Sequence, residues 1–455
     1  MNVMKQKLTI KEYIFVASML FGLFFGAGNL IFPVSMGQQA GSHTLLAAVG
    51  FCVTGVGLPL LGIAAMGISE SKGLFHMSSK VGKGFAYFFT CALYLTIGPL
   101  FAIPRTATVS FQVGIASLVS DETHALALGI FSLLFFMAVL FFSLRPSGIL
   151  TWVGKVLNPL FLLFLGILIV ISLIAPMGAL TDTAPTGAYA GSAFFTGFLE
   201  GYNTMDALAS LAFGIILIEV IQNLGITDSK DVCLCTIRSG ILAALLMALI
   251  YGSLAFMGAQ SVPLLGVSAD GGLALSSIAN HYLGGIGGLF LGIMITFACL
   301  KTAIGLVTAC STTFSELFPR VCSYRQCAVL FSLFSFVISN AGLSAIMEFS
   351  LPVLLFLYPI TIVLIVLCLI GRSFQYRRSV FICTLSLTML TAFLGIMTSL
   401  PAVLRDALPF TARLSDFYQL LPFADLGMGW IVPAVIGFVL GLCLKPAQKD
   451  RAGLI

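Results

Sequence analysis

Charge is what this chain is short of. Only 9% of its 455 residues are Asp, Glu, Lys or Arg, while 59% are hydrophobic and the mean hydropathy is +1.10. A soluble domain cannot clothe its surface with so few charges, which excludes a soluble enzyme or nucleic-acid-binding module and leaves an integral membrane protein. Clustered metal ligands are missing too. The four histidines (His43, His76, His124, His281) are scattered, and the 11 cysteines form no Cys-x-x-Cys pair. Neither a zinc site nor a disulfide framework is supported. There is no Gly-x-x-x-x-Gly-Lys-Ser/Thr loop for ATP, so no ATPase function is indicated, and no His-Glu-x-x-His helix. Gly26-x-Gly28 lacks the third glycine and the preceding strand of a dinucleotide site.

Long apolar runs are what the chain has. Most extend over 18 to 30 residues without a charge, which is too long and too unbroken for the alternating strands of a membrane barrel. The expected architecture is an all-α bundle of about 12 spans: 13–38, 44–69, 82–115, 124–144, 149–175, 192–222, 235–260, 285–312, 326–342, 347–371, 378–400 and 424–445. The first follows Lys5, Lys7 and Lys11 as a signal peptide would, but shows no small-x-small cleavage site and is expected to be retained. With the N-terminus in the cytoplasm, 18 of the 22 basic residues fall in inner loops, Lys72, Lys155, Lys445, Lys449 and Arg451 among them. Arg405 and Arg413 fall outside, and Arg105 and Lys301 within spans. The bias predicts a multi-pass membrane protein with an even number of spans and both termini cytoplasmic. The outer stretches 176–191, 261–284 and 401–423 are expected to be lids or connectors.

Two spans are interrupted. The first carries Gly26-Ala27-Gly28-Asn29-Leu30-Ile31-Phe32-Pro33, and the sixth carries Glu200-Gly201-Tyr202-Asn203-Thr204-Met205-Asp206. Glycine and proline loosen a hydrogen-bond ladder that lipid cannot replace, so such breaks belong at a cavity. There, freed N–H groups suit a carboxylate and freed carbonyls suit a cation. Five spans separate the two breaks, and an odd number reverses direction. Residues 1–175 and 192–371 are therefore expected to be inverted copies meeting at the midplane, with 378–445 accessory.

Ionisable residues inside spans cost free energy and so face cavities or partners. Counting along the helices puts Arg105 roughly 15 Å and Glu200 roughly 12 Å below the outer surface, with Asp206 and Lys301 roughly 21 and 24 Å down. Arg105–Glu200 and Asp206–Lys301 are the expected pairs, either as static ties or as gates. Glu219, near the inner end of its span, reads as a solvated helix-end carboxylate. A lysine as deep as Lys301 can exchange a proton during a transport cycle.

Phe25 to Pro33, the run Gly98-Pro99-Leu100-Phe101-Ala102-Ile103-Pro104-Arg105-Thr106-Ala107-Thr108, the stretch Gly201 to Asp206, and Ala298-Cys299-Leu300-Lys301-Thr302 together resemble the bacterial branched-chain amino acid carriers of the BrnQ type, or system II carriers. The resemblance runs from the first span to Pro352 and Pro359 of the tenth. It implies the LeuT-like five-plus-five inverted-repeat fold and cation-coupled uptake of leucine, isoleucine and valine, usually with sodium. It also implies substrate binding at Gly26, Ala27, Gly28 and Asn29 for the carboxylate and at Gly201, Tyr202, Asn203 and Thr204 for the amine. The apolar side chain is then expected among Tyr94, Tyr202 and Met205. The sodium site of that fold maps onto Gly22, Phe25, Ala298, position 301 and Thr302. Lys301 departs from the pattern, since an ammonium there repels sodium at close range. The expected function is thus amino-acid symport coupled to sodium or protons, with no other cofactor. The alternative is a carrier for a broader apolar set including methionine, proton-coupled or sodium-independent through Lys301. An ion channel would need a continuous polar pore, which these spans do not offer.

Overall fold

The computed structural model describes residues 8–71, 73–145, 158–226, 228–401, 405 and 410–444, and every regular element among them is helical. Lys5, Lys7, Lys72, Lys155, Lys445, Lys449 and Arg451, used above to orient the chain, lie outside the described residues, as does the side chain of Glu219.

The expected spans correspond to helices over their described residues; residues 149–157 of the fifth lie outside these. The first is the pair α1 (Ile10–Phe24) and α2 (Ala27–Ala40), and the second joins α3 (Thr44–Cys52) to α4 (Leu58–Ile68) through a π-helical turn at Val53–Gly57. After the short α5 (Leu74–Ser79), the third joins α6 (Lys83–Leu95) to α7 (Ala102–Gly114). Next come α8 (Asp121–Ser143), α9 (Asn158–Ile174), and the sixth span as α10 (Tyr189–Glu200) plus α11 (Asp206–Asn223). Then follow α12 (Ser229–Leu265), α13 (Gly271–Leu317), α14 (Tyr324–Ser339), α15 (Leu343–Leu369), α16 (Arg378–Ile396), α17 (Phe410–Gln419) and α18 (Ile431–Cys443). Seven described helices are long and apolar enough to cross a bilayer, and α11, bent by 48°, makes an eighth candidate.

The outer connectors hold more helix than expected. α13 begins at Gly271 because Asp270 caps it, accepting from the N–H groups of Gly272 (2.8 Å) and Leu273 (2.9 Å), and a positive φ at Gly284 (67°) then turns the chain into the span proper. The stretch 401–423 likewise contains α17.

Lipid-facing helices show it in their pattern. α8 buries Leu128, Ser132, Phe135 and Val139 along one stripe and leaves Leu126, Ile130, Leu133 and Met137 outward. Inner helices pack backbone to backbone at glycine. A Cβ on Gly37 would collide with the Ala255 carbonyl, and one on Gly258 with that of Val34, so α2 and α12 touch reciprocally. α3 and α10 do the same through Gly50 against Phe194 and Gly197 against Ala47. The first broken span lies along α12, and the second along α3 and α4.

Candidate functional site

The first break falls at Phe25 and Gly26. Both are extended (φ/ψ −72/95° and −119/−164°), Phe25 ends α1 by donating its N–H to Phe21 O at 2.7 Å, and Asn29 Oδ1 accepts the Gly26 N–H at 3.0 Å. Ala27 to Asn29 are therefore not unwound, as the sequence led us to expect, but form the first turn of α2. Helix geometry leaves their N–H groups without intrahelical acceptors.

The second break is a tight turn. Gly201–Thr204 forms a 3₁₀ helix, Met205 turns left-handed (φ 61°, ψ 12°), and α11 starts at Asp206. Each of three carbonyls in the turn already accepts a hydrogen bond: Gly201 O from Thr204 Oγ1 (2.9 Å), Tyr202 O from the Met205 N–H (3.0 Å), and Asn203 O from Arg105 Nη1 (2.7 Å).

A third interruption was not foreseen. The span 82–115 passes through a π-helical turn at Thr96–Leu100, where Gly98 is non-helical (φ −95°, ψ −125°). Pro99 has no N–H to give the ladder, and Gly98 accepts the distortion. The turn carries Ile97, Ala102, Arg105 and Thr106 to the same place as the other two breaks.

That place is a cavity with about 420 Å³ of empty space, counting its open mouth. Its polar lining is Gly26, Gly28, Asn29, Arg105, Thr106, Thr204, Asp206 and Thr302. Its apolar lining includes Leu23 and Phe24 from the end of α1, Ile97, Met205, Ala209 and Phe213 of α11, and Leu306 of α13. The space thus lies on the α1/α11 side of the breaks. On the α2/α10 side Tyr202 stacks on Tyr358, with ring centres 3.9 Å apart and planes at 13°.

Asp206 Oδ2 accepts from Asn29 Nδ2 (2.5 Å) and from the Tyr251 hydroxyl (3.0 Å), and Asn29 Nδ2 also contacts the Tyr251 oxygen. Asp206 is 2% exposed and Arg105 4%. Arg105 lies over the Phe32 ring, 5.0 Å from its centre.

Neither expected charge pair forms. Arg372 and Glu70 do form an ion pair at 3.9 Å, but in the loops rather than within these spans. Arg105 is taken up by the carbonyl that the 3₁₀ turn frees at Asn203, and Glu200 faces the Asn203 side chain. Asp206 is taken up by Asn29 and Tyr251, while Lys301 is half-buried on α13 and does not line the cavity.

Of the expected substrate residues, Gly26, Gly28, Asn29, Thr204 and Met205 line the cavity, whereas Gly201, Tyr202, Asn203 and Tyr94 do not. Gly201 packs against Thr54, and the Tyr94 carbonyl accepts from Cys310 Sγ at 3.5 Å. Of the expected cation residues, Thr302 lines the cavity, stands against Gly26 and donates to Ala298 O at 3.1 Å, whereas Gly22, Phe25 and Ala298 do not line it. Sequence reasoning missed Tyr251 and Tyr358. The signal for Tyr251 was a tyrosine beside Gly252-Ser253 at the centre of an apolar span.

Comparison with known proteins agrees over nearly the whole chain. The family described as branched-chain amino acid transport protein matches residues 9–448. The branched-chain amino acid permease BrnQ of Lactobacillus delbrueckii subsp. lactis is 48% identical over 99% of this chain and 100% of its own. The permease of the same name from Bacillus subtilis (strain 168) is 41% identical over 97% of this chain and 98% of its own. Among solved structures, the inward facing conformation of Mhp1 superposes with a TM-score of 0.63 at 12% identity, over 97% of this chain and 94% of that one. MhsT in complex with L-phenylalanine does so with a TM-score of 0.55 at 17% identity, over 96% and 98%. The chain has the LeuT-like fold these structures share.

Proposed function

Since this chain belongs to the branched-chain amino acid transport protein family, we propose that it imports leucine, isoleucine and valine across the bacterial cytoplasmic membrane by cation-coupled symport with alternating access. The family is one of transporters, and the protein is a transporter rather than an enzyme. The observation that carries the proposal is the meeting of both broken spans at one cavity, where the amino end of α2 offers N–H groups to a carboxylate and an apolar wall of Leu23, Phe24, Ile97, Phe213 and Leu306 receives a branched side chain.

The reciprocal packing of the first broken span on α12 and the second on α3 and α4 supports reading residues 1–175 and 192–371 as inverted halves. With the N-terminus in the cytoplasm, the α1/α11 side is the inner side. The cavity then faces inward, and the Tyr202–Tyr358 stack closes the outer path. Rocking one bundle against the other around the breaks would exchange these two conditions.

For coupling, Lys301 stands in for sodium, as a fixed internal cation or by exchanging a proton. Its helix carries Ala298, Lys301, Thr302, Gly305 and Thr308 as one half-buried face beside the break. Uptake of labelled leucine into proteoliposomes, with sodium and proton gradients imposed separately, tests the reading: transport without sodium supports it, and transport that requires sodium and ignores the proton gradient overturns the role of Lys301. An apolar wall separates ligands differing by one methylene only weakly, by roughly 1–3 kcal/mol, so competition with unlabelled methionine decides between a narrow and a broad apolar substrate range.

A further inference from the structure

The second break has little to offer an ammonium group, because Gly201, Tyr202 and Asn203 do not line the cavity and their carbonyls already accept hydrogen bonds. The first break offers N–H groups, which suit the other end of an amino acid. The end of α1 leaves carbonyls free as well, but a full negative charge, the stronger partner for an ammonium, is offered in the lining by Asp206 alone.

We propose that the partner is Asp206, whose second carboxylate oxygen takes the α-ammonium of the bound amino acid. This rests on reading the cavity as the amino-acid site. Both donors to the carboxylate, Asn29 Nδ2 and the Tyr251 hydroxyl, go to Oδ2. Asp206 lines the cavity, and neither of these two donors goes to Oδ1. The neighbouring Thr204 hydroxyl spends its proton on Gly201 O. The nearby Arg105 donates to Asn203 O rather than to this carboxylate, so Asp206 has no cation in direct hydrogen-bond contact among the described residues, and an ammonium with three N–H groups supplies one.

The rest of the lining agrees in sign. Arg105 stands near the first turn of α2, its Nη2 3.2 Å from where a Cβ on Gly28 would be. The cavity is thus positive around Arg105 and the α2 amino end and negative at Asp206. Free α-amino acids fit both ends, whereas branched-chain 2-oxo acids, branched fatty acids and N-acylated amino acids leave Asp206 unmatched.

Binding of leucine and of 4-methylpentanoate, the same carbon skeleton without the amine, to the purified full-length protein in proteoliposomes tests this. The unaltered protein is expected to prefer leucine by at least about 100-fold. Asp206→Asn is expected to weaken leucine by roughly 100-fold while leaving 4-methylpentanoate within about threefold, so that the preference collapses. If the unaltered protein binds the two ligands within threefold of each other, the assignment is overturned even where the variant does not fold. Equal losses for both ligands in Asp206→Asn also overturn it, since that marks a structural or coupling role. A protein that binds no leucine at all refutes the amino-acid reading itself, an outcome distinct from leucine binding without selection for the amine.

Discussion

Asn29 and Asp206 join the two interrupted spans: the Asn29 side chain accepts the Gly26 N–H with its oxygen at 3.0 Å and donates to Asp206 Oδ2 with its nitrogen at 2.5 Å. One amide thus caps α2 and anchors the start of α11. Both side chains are buried, so removing the amide takes one partner each from the Gly26 N–H and the Asp206 carboxylate.

Asn29→Ala is expected to lower stability by about 1–3 kcal/mol, through the lost cap and an under-satisfied carboxylate, and to cut leucine uptake by roughly 100-fold. Thermal unfolding in detergent gives the first figure and initial uptake rates give the second. Near-normal uptake would mean that the two breaks are held together by something else.

Gly28→Ala probes the floor of the cavity. A Cβ there would stand 2.8 Å from Phe32 Cε2 and 3.2 Å from Arg105 Nη2, and Phe32 is buried with little room to retreat. Overpacking of this kind costs roughly 1–3 kcal/mol, and the displaced guanidinium is expected to raise the KM for leucine about tenfold at near-normal protein yield.

Lys301→Thr replaces an ammonium with a hydroxyl one residue from Thr302. The variant is expected to gain dependence on sodium, with uptake at least about fivefold faster in its presence. Uptake at matched ionic strength, sodium against choline, is the measurement. A variant as indifferent to sodium as the parent removes Lys301 from the coupling scheme.

Two glycines of α12 serve as a paired test of helix packing. Gly258→Ala drives a methyl group into the Val34 backbone of α2, whereas a Cβ on Gly252 meets nothing within 4 Å. The first is expected to destabilise by about 1–3 kcal/mol, while Gly252→Ala is expected to be neutral or to stabilise by up to about 1 kcal/mol through helix propensity. Thermal unfolding of the two variants side by side separates close approach from a general intolerance of alanine.

The helical membrane fold and the places where two of its spans break were legible in the amino acids, because the length of an apolar run and the ladder-breaking effect of Gly26, Pro33 or Gly201 are local properties that need no partner. The same locality identified Arg105, Asp206 and Lys301 as residues with a task, since a charge in a span is costly wherever its helix goes. Which partner each one meets was decided by the tertiary structure. Depth counted along a straight helix matched Arg105 with Glu200 and Asp206 with Lys301. The 3₁₀ turn at Gly201–Thr204 and the left-handed Met205 instead present a carbonyl to Arg105 and bring Asp206 to Asn29 and Tyr251. Hydrogen bonding depends on direction and on distances of a few tenths of an ångström, and these are set only when four helices from distant parts of the chain have packed.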